Sequence, residues 1–188
     1  MRVSREEAAR SRERIVEGAA RLFRERGFGA GVADVMGAAG LTHGGFYAHF
    51  ASKDALMGAA CERALEGARE RWRQRALSDP RHPIEALARG YLSERHRDDP
   101  GAGCVVAALG TESAREGPPV RHAITRWLAD SFDFLARFTP GRGAARRRRA
   151  IALHASWLGA MVMARAVDDP ALSREILEAV AAESARRA

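Results

Sequence analysis

The sequence predicts an all-α fold, and three observations carry that reading. Apolar residues recur at three- and four-residue spacing through most of the 188 residues, the period of a helix with one buried face. Glycine and proline clusters separate these stretches, and no alternating run bounded by turn residues marks a strand. There is also no internal repeat and no linker long enough to hold two halves apart.

The first predicted helix runs from Ser4 to Arg26. Ser4 is a good cap, Glu7 completes a capping box, and Ile15, Ala19, Leu22 and Phe23 form the inner stripe. Gly27 ends it, with Phe28 placed to fold back on Phe23. A second helix covers Val32 to Ala39, where Val32, Val35, Met36 and Ala39 share one face. Gly40 follows as a left-handed stop and Leu41 is placed against Met36. Thr42 then caps a third, short helix from His43 to Phe50, anchored by Phe46 and Phe50. Ser52 caps a long helix reaching about Leu77, which is broken by Asp79-Pro80-Arg81-His82-Pro83. Five more helices are expected, over Ile84–Arg97, Cys104–Arg115, Val120–Phe138, about Ala145–Val167 and Pro170–Arg186.

Helix, glycine turn, helix is the layout of a DNA-binding helix-turn-helix. Two glycines in the eight residues of the third helix cost it about 1 kcal/mol each relative to alanine. In exchange they let the backbone come close to another surface, and first-turn N–H groups suit phosphate. The run GLTHGGFYAHFASKDAL resembles the core signature of the TetR/AcrR family of one-component transcriptional regulators. That signature is a glycine turn, a Ser/Thr cap, an aromatic–Tyr–x–His–Phe run and Ser-Lys-Asp/Glu-x-Leu, and the resemblance around it extends over about a quarter of the chain. One departure is Gly31, where the family usually carries a capping Thr; glycine is an adequate cap but offers no hydroxyl.

The resemblance implies a three-helix DNA-binding head over residues 1–51 and a ligand-binding and dimerisation body over 52–188. It implies that Thr42, His43, Tyr47 and Lys53 contact a double-stranded DNA operator, Thr42, Tyr47 and Lys53 suiting phosphates. His43 is placed for base edges, Gly44 and Gly45 set the close approach, and His49 either reaches a base or packs against the first helix.

Bulk charge says less than the motif. The net charge is +7, but through Asp54 eight Arg and one Lys face seven acids, leaving most of the excess in the C-terminal part. No apolar run spans a membrane, and the charged start MRVSREEAARSRERI has no signal-like apolar core. Cys61 and Cys104 fit no metal-ligand spacing, so neither metal nor cofactor is expected, and a reducing cytoplasm is the expected setting. Paired carboxylates, a phosphate-cradling loop and HExxH are all missing, which argues against an enzyme. Architectural DNA binding would leave the large apolar C-terminal half without a purpose.

In the body, a small apolar or aromatic effector is expected in a pocket between Ile84 and Met163. Its candidate lining is Tyr91, Cys104, Leu109, Trp127, Phe134, Trp157 and Met161, residues that serve equally well as plain core. Cys104 follows a glycine-rich approach and starts a helix, the setting of a stabilised thiolate; family members controlling electrophile- and hypochlorite-detoxifying reductases look similar here. The alternative function is therefore a redox- or electrophile-sensing repressor acting through Cys104, against the plainer reading of a packed small side chain. Ile151, Trp157, Leu158, Met161 and Val162, with Leu172, Ile176, Leu177 and Val180, give the last two helices apolar faces suited to a homodimer. The basic run Arg142–Arg149 opposes the helix dipole, so that helix is expected to start late.

Overall fold

A computed structural model describes residues 5–186, which form nine α-helices, two 3₁₀ turns and no strand. Helix α1 is Arg5–Arg26, and the expected Ser4 cap lies outside the described residues. Gly27 closes it at φ +81°, its amide donating to the Phe23 carbonyl at 2.8 Å, and the Phe28 ring sits 5.6 Å from that of Phe23. Helix α2 is Val32–Ala38. The Asp34 carboxylate reaches back to accept from the Gly31 amide, doing part of the work of a missing cap side chain. Gly40 takes φ +69° while Leu41 N–H donates to the Met36 carbonyl and Gly40 N–H to that of Gly37, the paired bonds of a Schellman stop.

The next segment departs from expectation. His43–Ala48 is a 3₁₀ helix rather than an α-helix reaching Phe50, and the Thr42 hydroxyl makes no capping bond. Glycine at 44 and 45 removes the propensity needed to hold full α-helical turns in so short a piece. Phe46 and Phe50 still anchor it, buried with their rings 5.8 Å apart, and Arg12 lies over Phe50.

Helix α3, Lys53–Ser78, starts where Ser52 Oγ accepts from the Ala55 amide at 3.1 Å. It packs against α1 at its start and, further along, against α4 (Pro83–Tyr91) and α7 (Pro118–Ala136). The single helix expected over Ile84–Arg97 is two pieces, α4 and α5 (Glu94–Asp98). Ser93 Oγ accepts from the His96 amide and starts a new turn there. A 3₁₀ turn at Pro100–Ala102 leads to α6, Val105–Ser113, with Cys104 as its N-cap residue.

Helix α8, Gly143–Ala166, does not start late. Its arginines find partners that remove the conflict with the dipole: Arg149 donates to the Pro140 carbonyl, Arg146 to that of Gly141, and Arg147 pairs with Asp133 of α7. Helix α9, Pro170–Arg186, lies against α8, and Trp157 Nε1 donates to Ser184 Oγ at 2.8 Å across that seam. Among the described residues no helix is long and apolar enough to cross a membrane.

The body is centred on Trp72 of α3. Its ring lies 5.5 Å from Trp127, 5.9 Å from Trp157 and 5.1 Å from His154, so three helices meet on one aromatic side chain. Ser131 donates its proton to the Leu128 carbonyl and therefore accepts from His154 Nδ1–H, which fixes the neutral tautomer of this buried histidine. His96 is fixed in the same way: Nδ1–H meets the Tyr91 carbonyl at 2.6 Å and Nε2 accepts the Cys104 amide at 2.9 Å, stapling the start of α6 to the end of α4.

Burial holds His154 at a pKa of about 4. Burial, followed by the nearby charges of Arg165, Arg75 and Arg71, holds His96 at about 4 against its bond to Tyr91. Both titrate near 6.5 when unfolded, so the stability they contribute is complete above about pH 6.5 and is lost as pH falls toward 4. The urea midpoint is expected to fall between about pH 7 and pH 5, and a His96→Gln, His154→Asn double variant to lose most of that slope. A wild-type midpoint flat across this window contradicts neutral burial of both rings.

Candidate functional site

Two places bring candidate residues together. At the head, the 3₁₀ segment presents Thr42, His43, Gly44 and Tyr47 to solvent, with Tyr47 75% exposed although it is a large aromatic. Gly45 and His49 are half-buried at its flanks. Gly44 has no internal reason to be glycine: its φ is not positive, and a Cβ there would meet nothing within 4 Å. Gly45 is closer to the core, where a Cβ would touch Met36 Cε at 3.7 Å.

Lys53 is also at this end, but its ammonium is partly engaged, donating to the Phe28 carbonyl at 2.6 Å. The Phe28 amide in turn donates to Glu112 Oε2 of α6 at 2.8 Å. One residue in the turn between α1 and α2 is thus gripped through both of its backbone polar groups, by the first residue of α3 and by the far end of α6. Alongside it, Arg24 of α1 donates to the Gly101 carbonyl and Arg21 pairs with Asp99.

The second place is a cavity of about 210 Å³ in the body. One wall is α3, through Ala68, Arg71, Trp72 and Arg75. The opposite side is Tyr91, the segment from Ser93 to Cys104, and Trp127 of α7. Of the seven residues expected from the sequence, Tyr91, Cys104 and Trp127 line it. Leu109, Trp157 and Met161 are fully buried packing instead, and Phe134 lies 6.2 Å from Trp72 toward Phe138. The expected boundary at Ile84 left out α3; an arginine pair one turn apart flanking Trp72 was the available signal.

The cavity is rich in donors. Tyr91 Oη and Trp127 Nε1 are buried with no hydrogen-bond partner. The Tyr91 hydroxyl lies beside the Cys104 thiol without a regular bond to it, and burial raises its pKa well above the ordinary tyrosine value. Burial lowers the pKa values of Arg71 and Arg75, and in Arg75 the neighbouring Arg71 and Arg95 lower it further. The other cysteine, Cys61, sits in the core under α1, where burial pushes its thiol up to about 12.

The last two helices divide the residues expected to form a dimer face. Trp157, Met161 and Leu177 close the monomer's own core, whereas Ile151, Val162 and Leu172 stand exposed, joined by Met163.

Comparison with known proteins agrees with this architecture. Residues 15–60 match the model of bacterial regulatory proteins of the tetR family. An HTH-type transcriptional regulator of Bacillus subtilis (strain 168), YerO, is 42% identical over 52 residues, which is 27% of this chain and only 18% of that protein's length. A TetR transcriptional regulator from Chloroflexus aurantiacus superposes with TM-score 0.79 at 27% identity, covering 96% of this chain and 95% of its own. The reduced form of NemR from E. coli superposes with TM-score 0.77, covering 93% and 94%; at 24% identity it shows the shared fold alone. The head is thus matched in sequence to the tetR-family model over residues 15–60, and the whole chain shares the fold of TetR transcriptional regulators.

Proposed function

We propose that this chain is a dimeric DNA-binding transcriptional repressor that leaves a palindromic operator when a small molecule with an aromatic or apolar part occupies the body cavity. The observation that carries the DNA reading is the exposed 3₁₀ end, with a bare Gly44 between His43 and Tyr47. At an exposed helix-turn-helix end, a bare glycine leaves room for another surface to come close to the backbone. Thr42, Tyr47 and the remaining N–H bonds of Lys53 then meet phosphates, while His43 and, at the flank, His49 face base edges. Gly45 keeps the backbone close to that surface.

Release follows from shared elements. A ligand against Arg71, Trp72 and Arg75 bears directly on α3, and one against Cys104 bears on the start of α6. Both helices grip Phe28, so a shift in either moves the turn that sets the head. The required coupling is a difference in ligand affinity between two arrangements, typically about 1–3 kcal/mol.

Dimerisation supplies the second half-site. Ile151, Val162, Met163 and Leu172 form an apolar outer surface on α8 and α9, and a two-fold pair of such surfaces makes a four-helix interface.

A second reading is favoured by one observation, the opening of the Cys104 thiol onto the cavity beside the cations of Arg71 and Arg165. In that reading an electrophile or oxidant reacting at Cys104 takes the place of a reversible effector.

Three measurements test these statements. Gly44→Ala is expected to melt at or slightly above the wild-type temperature while binding DNA from its own upstream region about tenfold more weakly, the scale of one contact worth about 1.4 kcal/mol. Unchanged binding by both this variant and Tyr47→Phe removes the 3₁₀ end from the interface. Val162→Arg with Leu172→Arg is expected to halve the mass seen by light scattering and to abolish tight DNA binding; an unchanged mass moves the dimer face elsewhere. Iodoacetamide near neutral pH is expected, under the second reading, to label Cys104 well before Cys61 in the native protein, and equally slow labelling of both ends it.

A further inference from the structure

We propose that the body cavity takes a compact organic carboxylate, its anionic end held by Tyr91, Trp127, Arg71 and Arg75 and its apolar or aromatic part lying against Trp72. This inference rests on the effector reading above and names the chemistry of its ligand.

Buried polar side chains in folded proteins almost always find a partner, so two orphans around one cavity need an explanation. Tyr91 and Trp127 are each 2% exposed, both border the space, and neither Tyr91 Oη nor Trp127 Nε1 is bonded. An indole N–H only donates, so what satisfies Trp127 must be an acceptor. The Tyr91 hydroxyl is free to donate as well.

Most side-chain acceptors of the lining are already engaged. His96 Nε2 takes the Cys104 amide, and Ser93 Oγ takes the His96 amide while donating to the Gly90 carbonyl. Asp99, the acid bordering the cavity, takes the Ala102 amide and pairs with Arg21, both through Oδ1. Among the described residues the Arg75 guanidinium meets no carboxylate or carbonyl, and its charged neighbours are Arg71 and Arg95. Arg71 reaches only the Ala102 carbonyl, at 3.4 Å.

Positive charge with unpaired donors calls for an anion bearing several acceptor atoms, and a carboxylate matches a guanidinium in planar geometry. Size and surface narrow the class. About 210 Å³ is below the roughly 300–1,000 Å³ of sites for drug-sized ligands, which excludes nucleotides and other large anions. The wall made by Ala68, Trp72 and Trp127 is apolar and would be left uncovered by an inorganic ion. A small acid with a hydrocarbon or aromatic body covers that wall and satisfies the donors together.

The test is calorimetric titration and thermal shift of the full chain with sodium benzoate, salicylate, phenylacetate and hexanoate. Benzamide, benzyl alcohol and sodium phosphate serve as matched controls. At least one carboxylate is expected to bind saturably and raise the melting temperature, with its neutral counterpart and phosphate at least about tenfold weaker. Tyr91→Phe and Arg75→Gln are expected to weaken the carboxylate about tenfold, with Arg75→Lys recovering part of the loss. Because the Tyr91 hydroxyl makes no regular hydrogen bond and only lies beside the Cys104 thiol, Tyr91→Phe should melt close to wild type without ligand, which separates a ligand contact from a structural one.

Equal binding of the neutral compounds, binding of phosphate as tight as any carboxylate, or no saturable carboxylate binding overturns the proposal. If a neutral or thiol-reactive compound releases DNA while no carboxylate binds, the effector reading stands and this one falls. If a carboxylate binds as expected but leaves DNA affinity unchanged, the site stands and control through it falls.

Discussion

Continuity of α3 is the constraint on which the rest of the structure depends. One 26-residue helix begins in the helix-turn-helix head and finishes as a wall of the body cavity. Its first turns bury Leu56, Met57 and Ala60, with α1 packed alongside; its later turns bury Leu65, Ala68 and Trp72 among the body helices. An α-helix is stiff along its axis, so displacement at Trp72 is carried along the helix to Lys53. Burial at both ends makes melting only one of them costly, because each apolar side chain returned to water forfeits about 1.5–3 kcal/mol.

A second connection runs beside the first. Cys104 begins α6 at the cavity and Glu112, two turns later, accepts the Phe28 amide. Lys53 holds the carbonyl of the same residue, so the turn that orients α2 against α1 is fixed from two helices that both border the cavity. Arg21 and Arg24 add contacts to the segment around Asp99 and Gly101. The head therefore rests on the parts of the body that border the cavity, and a small rearrangement there has a short route to the exposed 3₁₀ segment.

Much of this was legible in the residues because local chemistry decides it. Gly27 and Gly40 sit where only a left-handed residue ends a helix, and Ser52 caps α3 through its own side chain; none of these needs knowledge of the rest of the fold. The misreadings fall where distant partners decide. The start of α8 depends on Asp133 and on carbonyls of the preceding loop, which offset the unfavourable run of arginines. The break between α4 and α5 depends on Ser93 and on His96 being stapled to both Tyr91 and Cys104. The 3₁₀ form of His43–Ala48 was half visible: two glycines warned of a weak helix, but not of which weaker form replaces it.

At the cavity, aromatic and methionine positions were read as lining because spacing alone does not separate a core stripe from a pocket wall. Trp157 and Met161 went to the core, where Ser184 and the Trp72 cluster hold Trp157. Charge on a helix usually marks a solvated face, so the sequence alone does not assign the arginines of α3 to a cavity. Only the packing of α4 and α7 against α3 brings that face to the edge of a cavity.

The most direct measurement of the central claim is urea unfolding followed by two probes in one titration. Tryptophan fluorescence reports the body alone, since Trp72, Trp127 and Trp157 all lie there, and the amide resonances of Phe28 and Phe46 report the head. If α3 and the clamp on Phe28 make one mechanical unit, the two transitions coincide in midpoint and slope. A head that unfolds at clearly lower urea than the tryptophan cluster would contradict the account.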